Sequence, residues 1–137
     1  MRNLKQLGLY LHLYVDKFGG GHAYPPTNGV SNFLDYLRNV PSNRDAMAAG
    51  CHGIFVCKRT GKIPGPTSLD YRYPAATRTI DDTTQPHWPI ACDAISNHGG
   101  DEINVLLFDG SVVTAHPGDL LWSSCVGDAA SQWMQGP

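Results

Sequence analysis

Hydrophobic residues recur at steps of three and four along residues 3–18, a spacing typical of one face of an α-helix. Polar residues, among them Lys5, Gln6 and Asp16, fall on the rest of the helix surface. Three glycines at 19–21 follow, and glycine often ends a helix because it tolerates the left-handed conformation. The pattern therefore predicts an amphipathic helix at the start of the chain. Its apolar face comprises Leu4, Leu7, Leu11, Tyr14 and Phe18.

The later hydrophobic runs are short and rich in β-formers, which favours strands. We predict buried strands at 53–57 and 89–93 and a β-hairpin over 103–115. The hairpin prediction rests on Asp109-Gly110 between two such runs, and a two-residue turn of this type needs positive φ at both positions. A short second helix is predicted over residues 32–39. The expected fold class is α+β, with the N-terminal helix laid across a small antiparallel sheet.

The length and net charge of the chain limit the number of domains and the kinds of partner that we expect. A chain of 137 residues predicts one domain, 1–137, with a single modest core. The net charge is −2 and no basic run occurs, which argues against nucleic acid as a partner. No apolar run approaches the roughly 20 residues that a membrane-spanning helix needs.

Four cysteines, Cys51, Cys57, Cys92 and Cys125, allow three pairings if all are oxidised. None belongs to a Cys-x-x-Cys motif, and Cys51-His52 with Cys57 matches no standard zinc spacing. One or two structural disulfides are therefore the expectation, with buried free thiols as the alternative.

Several polar residues near the predicted hairpin are candidates for chemistry. His98 with Asp93 and Asp109 suits acid–base catalysis or a metal, but the favoured interpretation is structural: His98 and Asn97 shape the loop by hydrogen bonds and Asp109 makes the turn. Ser96 lies near His98, but no nucleophile elbow surrounds it. Carboxylates flank this loop, and hard oxygen ligands of this kind could bind Ca²⁺. The candidate calcium ligands are Asp93, Asp101, Glu102 and Asp109.

Two segments resemble bacterial type IV pilin-like proteins, more narrowly the prepilin-type, pseudopilin-related family. Residues 3–14, NLKQLGLYLHLY, resemble that family's segment directly after its hydrophobic helix. The family also has a signature in which a histidine is followed, after nine residues, by Asp-Gly. Residues 97–100 (NHGG) and 104–112 (NVLLFDGSV) resemble this signature. Here ten residues separate His98 from Asp109, and the extra one fits the loop at 101–102. The motif residues are His98, Asn104, Asp109 and Gly110.

Shorter matches and one departure lie between these segments. Residues 70–74, DYRYP, resemble a strand of the family, and Cys92-Asp93 matches as well. The family's Phe-x-Cys-Pro segment corresponds to 55–58, but Lys58 stands where the proline would be. The local turn after Cys57 is therefore in doubt.

The resemblance implies a structural role without catalysis. The chain would be a pilin-like head domain, residues 1–21 being the C-terminal half of the pilin helix and 22–137 the globular head. Its partners would be other pilin-like subunits, contacted through the helix, and the secretion or pilus machinery of a type II pseudopilus or type IV pilus-like assembly. A hydrophobic helix upstream would anchor it in the inner membrane, with the head periplasmic or at the cell surface. An oxidising compartment would favour disulfides.

The wide apolar face of the helix would then serve two purposes. Part would pack on the sheet and the rest against neighbouring subunits. The alternative is an exported module that binds calcium, a glycan or a protein partner through the loop at 93–102 and the tryptophans Trp88, Trp122 and Trp133.

Overall fold

An antiparallel sheet is the centre of the fold in a computed structural model, which describes residues 2–17, 56–61, 63, 70–74, 88–126 and 134–135. Within these residues the strand order is β4-β3-β2-β1-β5, and every neighbouring pair is antiparallel. A helix packs on the sheet, in agreement with the predicted α+β class. The strands are β1 (Tyr71–Pro74), β2 (Pro89–Asp93), β3 (Ile103–Leu107), β4 (Val112–Ala115) and β5 (Met134–Gln135).

Helix α1 (Arg2–Lys17) lies across one face of the sheet. Leu4, Leu7 and Leu11 are fully buried there and share a core cluster with residues of β1, β2 and β3. This corrects the prediction that they form an assembly face, because the molecule's own sheet already covers them. Tyr14 lies within α1, and Phe18 falls outside the described residues. Leu9 of α1 is exposed, with 68% of its surface accessible.

Gly8 lies where α1 packs against Leu106 of β3. A Cβ atom at this position would lie 3.1 Å from Leu106 Cδ1 of β3. Glycine in a helix interior costs about 1 kcal/mol relative to alanine. The contact explains why a glycine occupies the buried side of a helix that otherwise carries leucines.

A second helix, α2 (Leu120–Val126), covers the other face of the sheet. Cys125 is fully buried in a cluster with Cys92 and with Ile103 of β3, and Leu121 packs against this cluster. The apolar side of α2, with Leu121 and Val126, therefore packs on the sheet.

The predicted hairpin is present, but its turn differs from the prediction. Leu107 N–H donates to the Ser111 carbonyl and Gly110 N–H donates to the Leu107 carbonyl, both at 2.9 Å. Gly110 has φ 83°, whereas none of the described non-glycine residues, Asp109 included, has positive φ. The connection is therefore a three-residue loop with glycine at its left-handed position. Phe108 N–H donates to the Trp88 carbonyl, which keeps Phe108 in the loop.

Other predicted elements are confirmed, corrected or not described. The strands at 70–74 and 89–93 are confirmed as β1 and β2. The predicted strand at 53–57 is wrong for Val56 and Cys57, which are buried but not in a strand. Its remaining residues and the predicted helix at 32–39 lie outside the described residues.

Candidate functional site

Asp93, the last residue of β2, is a buried carboxylate surrounded by donors. Its Oδ2 accepts hydrogen bonds from the backbone N–H and the side-chain Nδ2 of Asn104, at 2.8 and 2.9 Å. Its Oδ1 accepts a longer bond, 3.3 Å, from Asn97 Nδ2. Asn104 is positioned by the antiparallel pairing of β2 with β3, which brings the start of β3 beside the end of β2. These donors compensate the cost of burying the carboxylate.

His98 lies beside this carboxylate at the end of a 3₁₀ turn, Ile95–His98. Its side chain is 8% exposed, and Nε2 lies 2.9 Å from Asp93 Oδ2. The other ring nitrogen, Nδ1, is buried without a hydrogen bond, and Glu102 Oε1 lies 3.6 Å from it. Gly99 follows with φ 75°, a conformation that suits glycine and lets the chain turn away. The histidine is thus held with one nitrogen on Asp93 and the other facing Glu102.

Cys57 completes the group from a distant part of the sequence. Its Sγ lies 3.6 Å from His98 Nε2. Its backbone N–H donates to Asp70 Oδ2 at 2.9 Å, and the same oxygen accepts from Thr60 Oγ1 at 2.9 Å. Asp70 is buried directly before β1. Burial raises the pKa of the Cys57 thiol, and the Asp93 and Asp70 carboxylates raise it further. The thiol is therefore neutral near pH 7.

A cavity of about 200 Å³ opens beside these side chains. Both Cys57 and His98 line it, so they are reachable from the cavity. Asn3 ties α1 to the same region, because its Nδ2 donates to the Val56 carbonyl at 2.9 Å. The other lining residues are Arg2, Asn3, Lys58, Arg59 and Tyr71.

The arrangement differs from a nucleophile–histidine–carboxylate triad. In a triad the carboxylate orients one imidazole nitrogen while the other accepts the nucleophile's proton. Here Asp93 and Cys57 both approach Nε2 of His98. A proton that bonds Nε2 to Asp93 leaves that nitrogen unable to take the thiol proton. Ser96, the other nucleophile considered from the sequence, is exposed.

The four predicted calcium ligands do not converge, and that prediction is corrected. Asp93 is buried with its oxygens engaged, whereas Asp101 is exposed. Glu102 faces His98 and lies 3.7 Å from Arg59. Asp109 is in the turn at the opposite end of β3, where its Oδ1 accepts from the N–H and hydroxyl of Ser111. Within the described residues, the acidic, histidine and cysteine side chains that cluster closely enough for a metal are Cys57, Asp93 and His98.

The motif residues separate into two groups. His98 and Asn104 both belong to the Asp93 cluster, where Asn104 Nδ2 lies 3.5 Å from His98 Nε2. Asp109 and Gly110 instead form the hairpin turn at the far end of β3. The histidine therefore belongs to the buried cluster at one end of β3, and the Asp-Gly pair forms the turn at the other end.

The described cysteines, Cys57, Cys92 and Cys125, are buried free thiols, and Cys51 lies outside the described residues. Cys92 and Cys125 lie in one buried cluster on the α2 side of the sheet. Cys57 belongs to the cluster on the α1 side. Of the predicted pairings, the fold brings Cys92 and Cys125 together, while the disulfide itself stays a prediction.

A second, more apolar cavity of about 500 Å³ lies on the α2 side. Trp88 lines it together with Leu107 of β3 and with Leu120, which is 89% exposed. Trp122 packs against the core cluster beneath α2, as expected for a structural tryptophan, and Trp133 lies outside the described residues.

Sequence reasoning missed Cys57 and Asp70 as partners of this site. Forty-one positions separate Cys57 from His98, and thirteen separate it from Asp70. No local spacing encodes such contacts. The available signal was an aspartate at each of two strand boundaries, Asp70 directly before β1 and Asp93 at the end of β2, where a carboxylate is unusual beside buried residues.

Among the described helices, none has both the length and the apolar character to cross a bilayer. No protein-family model, curated protein or solved structure matches this chain.

Proposed function

We propose that this chain is a non-catalytic structural subunit of a pilin-like filament, either a type II secretion pseudopilus or a type IV pilus-like assembly. The observation that carries the proposal is the placement of α1. Leu4, Leu7 and Leu11 are fully buried on an antiparallel sheet, whereas Leu9, on the other side of the helix, is exposed. A helix laid on a sheet in this way is what the resemblance to pilin-like proteins implies.

The outer side of α1 is the proposed contact with neighbouring subunits. Leu9 stands on it with 68% of its surface accessible, and Arg2 and Lys5 are exposed as well. Complete burial of a leucine side chain stabilises by about 1.5–3 kcal/mol, so covering Leu9 adds about 1–2 kcal/mol per contact. Most of the assembly energy would come from the upstream hydrophobic helix that the resemblance implies, which would also anchor the subunit in the inner membrane.

A non-catalytic role is supported by the chemistry of the buried cluster. Burial keeps the Cys57 thiol protonated, and His98 Nε2 is already engaged by Asp93. Neither group is prepared to act as a nucleophile or as its base. The hydrogen bonds instead connect three separate segments, at 57–70, 93–98 and 104, which suits a rigid head domain.

Site-specific photo-crosslinking tests the proposal. A photoreactive amino acid replaces Leu9 in the full-length protein expressed in its source cells. We expect irradiation to give a ladder at multiples of the subunit mass, because Leu9 would face neighbouring copies. The matched control places the same amino acid at Leu120, a leucine on the other side of the sheet that is exposed even more than Leu9, and no ladder is expected there.

Two results would contradict the proposal: no self-crosslinks from position 9, or equal ladders from both positions. A crosslink from position 120 to a different protein, with none from position 9, would favour the second candidate, an exported binding module. The cavity lined by Trp88 and Leu120 is the observation that favours that alternative.

A further inference from the structure

We propose that Cys57, Asp93 and His98 form a three-ligand binding site for Zn²⁺. Each residue presents one ligand atom, and these three atoms all lie within 4.8 Å of one another. The set combines a sulfur, an imidazole nitrogen and a carboxylate oxygen, the donors that zinc takes in proteins. The site is independent of filament assembly, because it lies inside one subunit.

The distances suit tetrahedral coordination. Zn–S and Zn–N bonds of about 2.3 and 2.0–2.1 Å at a tetrahedral angle separate the two ligand atoms by about 3.6 Å. Cys57 Sγ and His98 Nε2 are 3.6 Å apart. The corresponding N···O separation would be about 3.3 Å, against 2.9 Å between His98 Nε2 and Asp93 Oδ2. Two of the three separations thus lie within a few tenths of an ångström of the tetrahedral values, and the third, from Cys57 Sγ to the Asp93 carboxylate, is at most 4.8 Å.

The surroundings of His98 also suit a metal ligand. Coordination through Nε2 requires the proton on Nδ1, and metal-bound histidines commonly donate that N–H to a carboxylate. His98 Nδ1 is buried without a hydrogen-bond partner, and Glu102 Oε1 lies 3.6 Å from it. Zinc binding would give this orphaned atom an N–H directed at Glu102. The unsatisfied nitrogen is thus explained by the metal-bound tautomer.

The other two ligands are held in place by partners outside the metal sphere. Asn104 donates twice to Asp93 Oδ2, and the backbone of Cys57 donates to Asp70. Such outer contacts orient ligands and raise metal affinity. Cys57 and His98 also line the 200 Å³ cavity, from which a water molecule can complete the coordination.

The donor set selects the type of metal. Ca²⁺ and Mg²⁺ prefer oxygen ligands, and a thiolate with an imidazole disfavours both. On binding, the Cys57 S–H bond breaks, a Zn–S bond forms, and the proton leaves to solvent. The Asp93 and Cys57 anions together then neutralise the ion. The inferred ligand of this site is therefore a divalent zinc-like cation rather than calcium.

Cobalt substitution tests the site directly. The full chain is reduced, freed of metal with a chelator and titrated with Co²⁺, whose bond to a thiolate gives a near-ultraviolet charge-transfer band. We expect that band at an equimolar ratio of metal to chain, and we expect Zn²⁺ to displace it. The wild-type spectrum alone can refute the proposal: a titration without a thiolate band overturns it, whatever the variants do.

Variants then assign the ligands. Cys57→Ser should abolish the band and weaken Zn²⁺ binding by at least about 100-fold, since loss even of an outer-shell partner costs 10–100-fold. His98→Gln should weaken binding similarly. The matched controls are Cys125→Ser, a buried thiol on the other face of the sheet, and His116→Asn, an exposed histidine. Circular dichroism verifies folding, and a band that survives in Cys57→Ser but disappears in Cys125→Ser overturns the assignment.

Discussion

Removal of the Asp93 carboxylate should strongly destabilise the domain. Its Oδ2 accepts from the Asn104 backbone N–H, from Asn104 Nδ2 and from His98 Nε2, at 2.8–2.9 Å. Asp93→Ala leaves these donors buried without an acceptor. Each of these three buried donors, once unsatisfied, costs about 1–3 kcal/mol.

We therefore expect Asp93→Ala to lower the free energy of unfolding by about 3–5 kcal/mol, a large share of the 5–15 kcal/mol typical of a domain. Asp93→Asn should recover more than half of that loss, because its single oxygen can occupy the Oδ2 position. The remaining loss comes from the missing charge and from the bond that Asn97 donates to Oδ1.

Equilibrium unfolding in urea, with reductant and a chelator present, measures both variants. The chelator removes any contribution of bound metal to the difference. Asp101→Ala is the matched control, an exposed carboxylate in the following loop, and should change the free energy of unfolding by less than about 0.5 kcal/mol. An Asp93→Ala loss below about 1 kcal/mol, or an Asn variant as unstable as the Ala variant, would refute this reasoning.

Three further predictions concern the core, the turn and the buried thiols. Leu7→Ala should cost about 2–5 kcal/mol by denaturant unfolding because Leu7 is fully buried, whereas Leu9→Ala should cost less than about 0.5 kcal/mol. Equal effects would mean that α1 does not pack as described. Gly110→Ala should cost about 1–2 kcal/mol, since its φ of 83° places a Cβ in the left-handed region, and an unchanged midpoint would contradict the turn. Burial and the neighbouring Cys125 raise the pKa of Cys92 above its ordinary value of 9.0. The stabilisation that comes from this raised pKa of Cys92 is therefore complete below pH 9.0. It decreases by about 1.4 kcal/mol per pH unit as the pH rises towards the folded-state pKa. Cys92→Ala, measured in reductant from pH 8 to 10.5, should show a shallower loss, and an identical slope would contradict the burial argument.

Local sequence patterns were sufficient to predict the positions of several helices and strands. The 3.6-residue period of α1 and the β-former runs of β2 and the hairpin predicted where these elements lie. The same patterns could not say what the apolar side of α1 contacts. A stripe of leucines is equally apolar whether a sheet of the same chain or a neighbouring subunit covers it. The burial of Leu4, Leu7 and Leu11 resolves that ambiguity in favour of the sheet.

Tertiary contacts decided the features that local patterns predicted wrongly. Asp109-Gly110 alone indicates a two-residue turn, but the bond from Phe108 N–H to the Trp88 carbonyl draws a third residue into the loop. Cys57 reads as part of a strand, yet its N–H bonds the Asp70 carboxylate instead of a neighbouring strand. The buried cluster around Asp93 is assembled from segments far apart in sequence, so its membership required the fold.

The central claim is that this domain assembles through the outer side of α1. Its most direct test is a helical reconstruction by electron cryomicroscopy of filaments that contain the full-length protein, isolated from its source cells. We expect subunits in which Leu4, Leu7 and Leu11 remain on their own sheet while Leu9 is covered by the helix of a neighbouring copy. Subunits joined by other surfaces, with Leu9 left in solvent, would contradict the central claim.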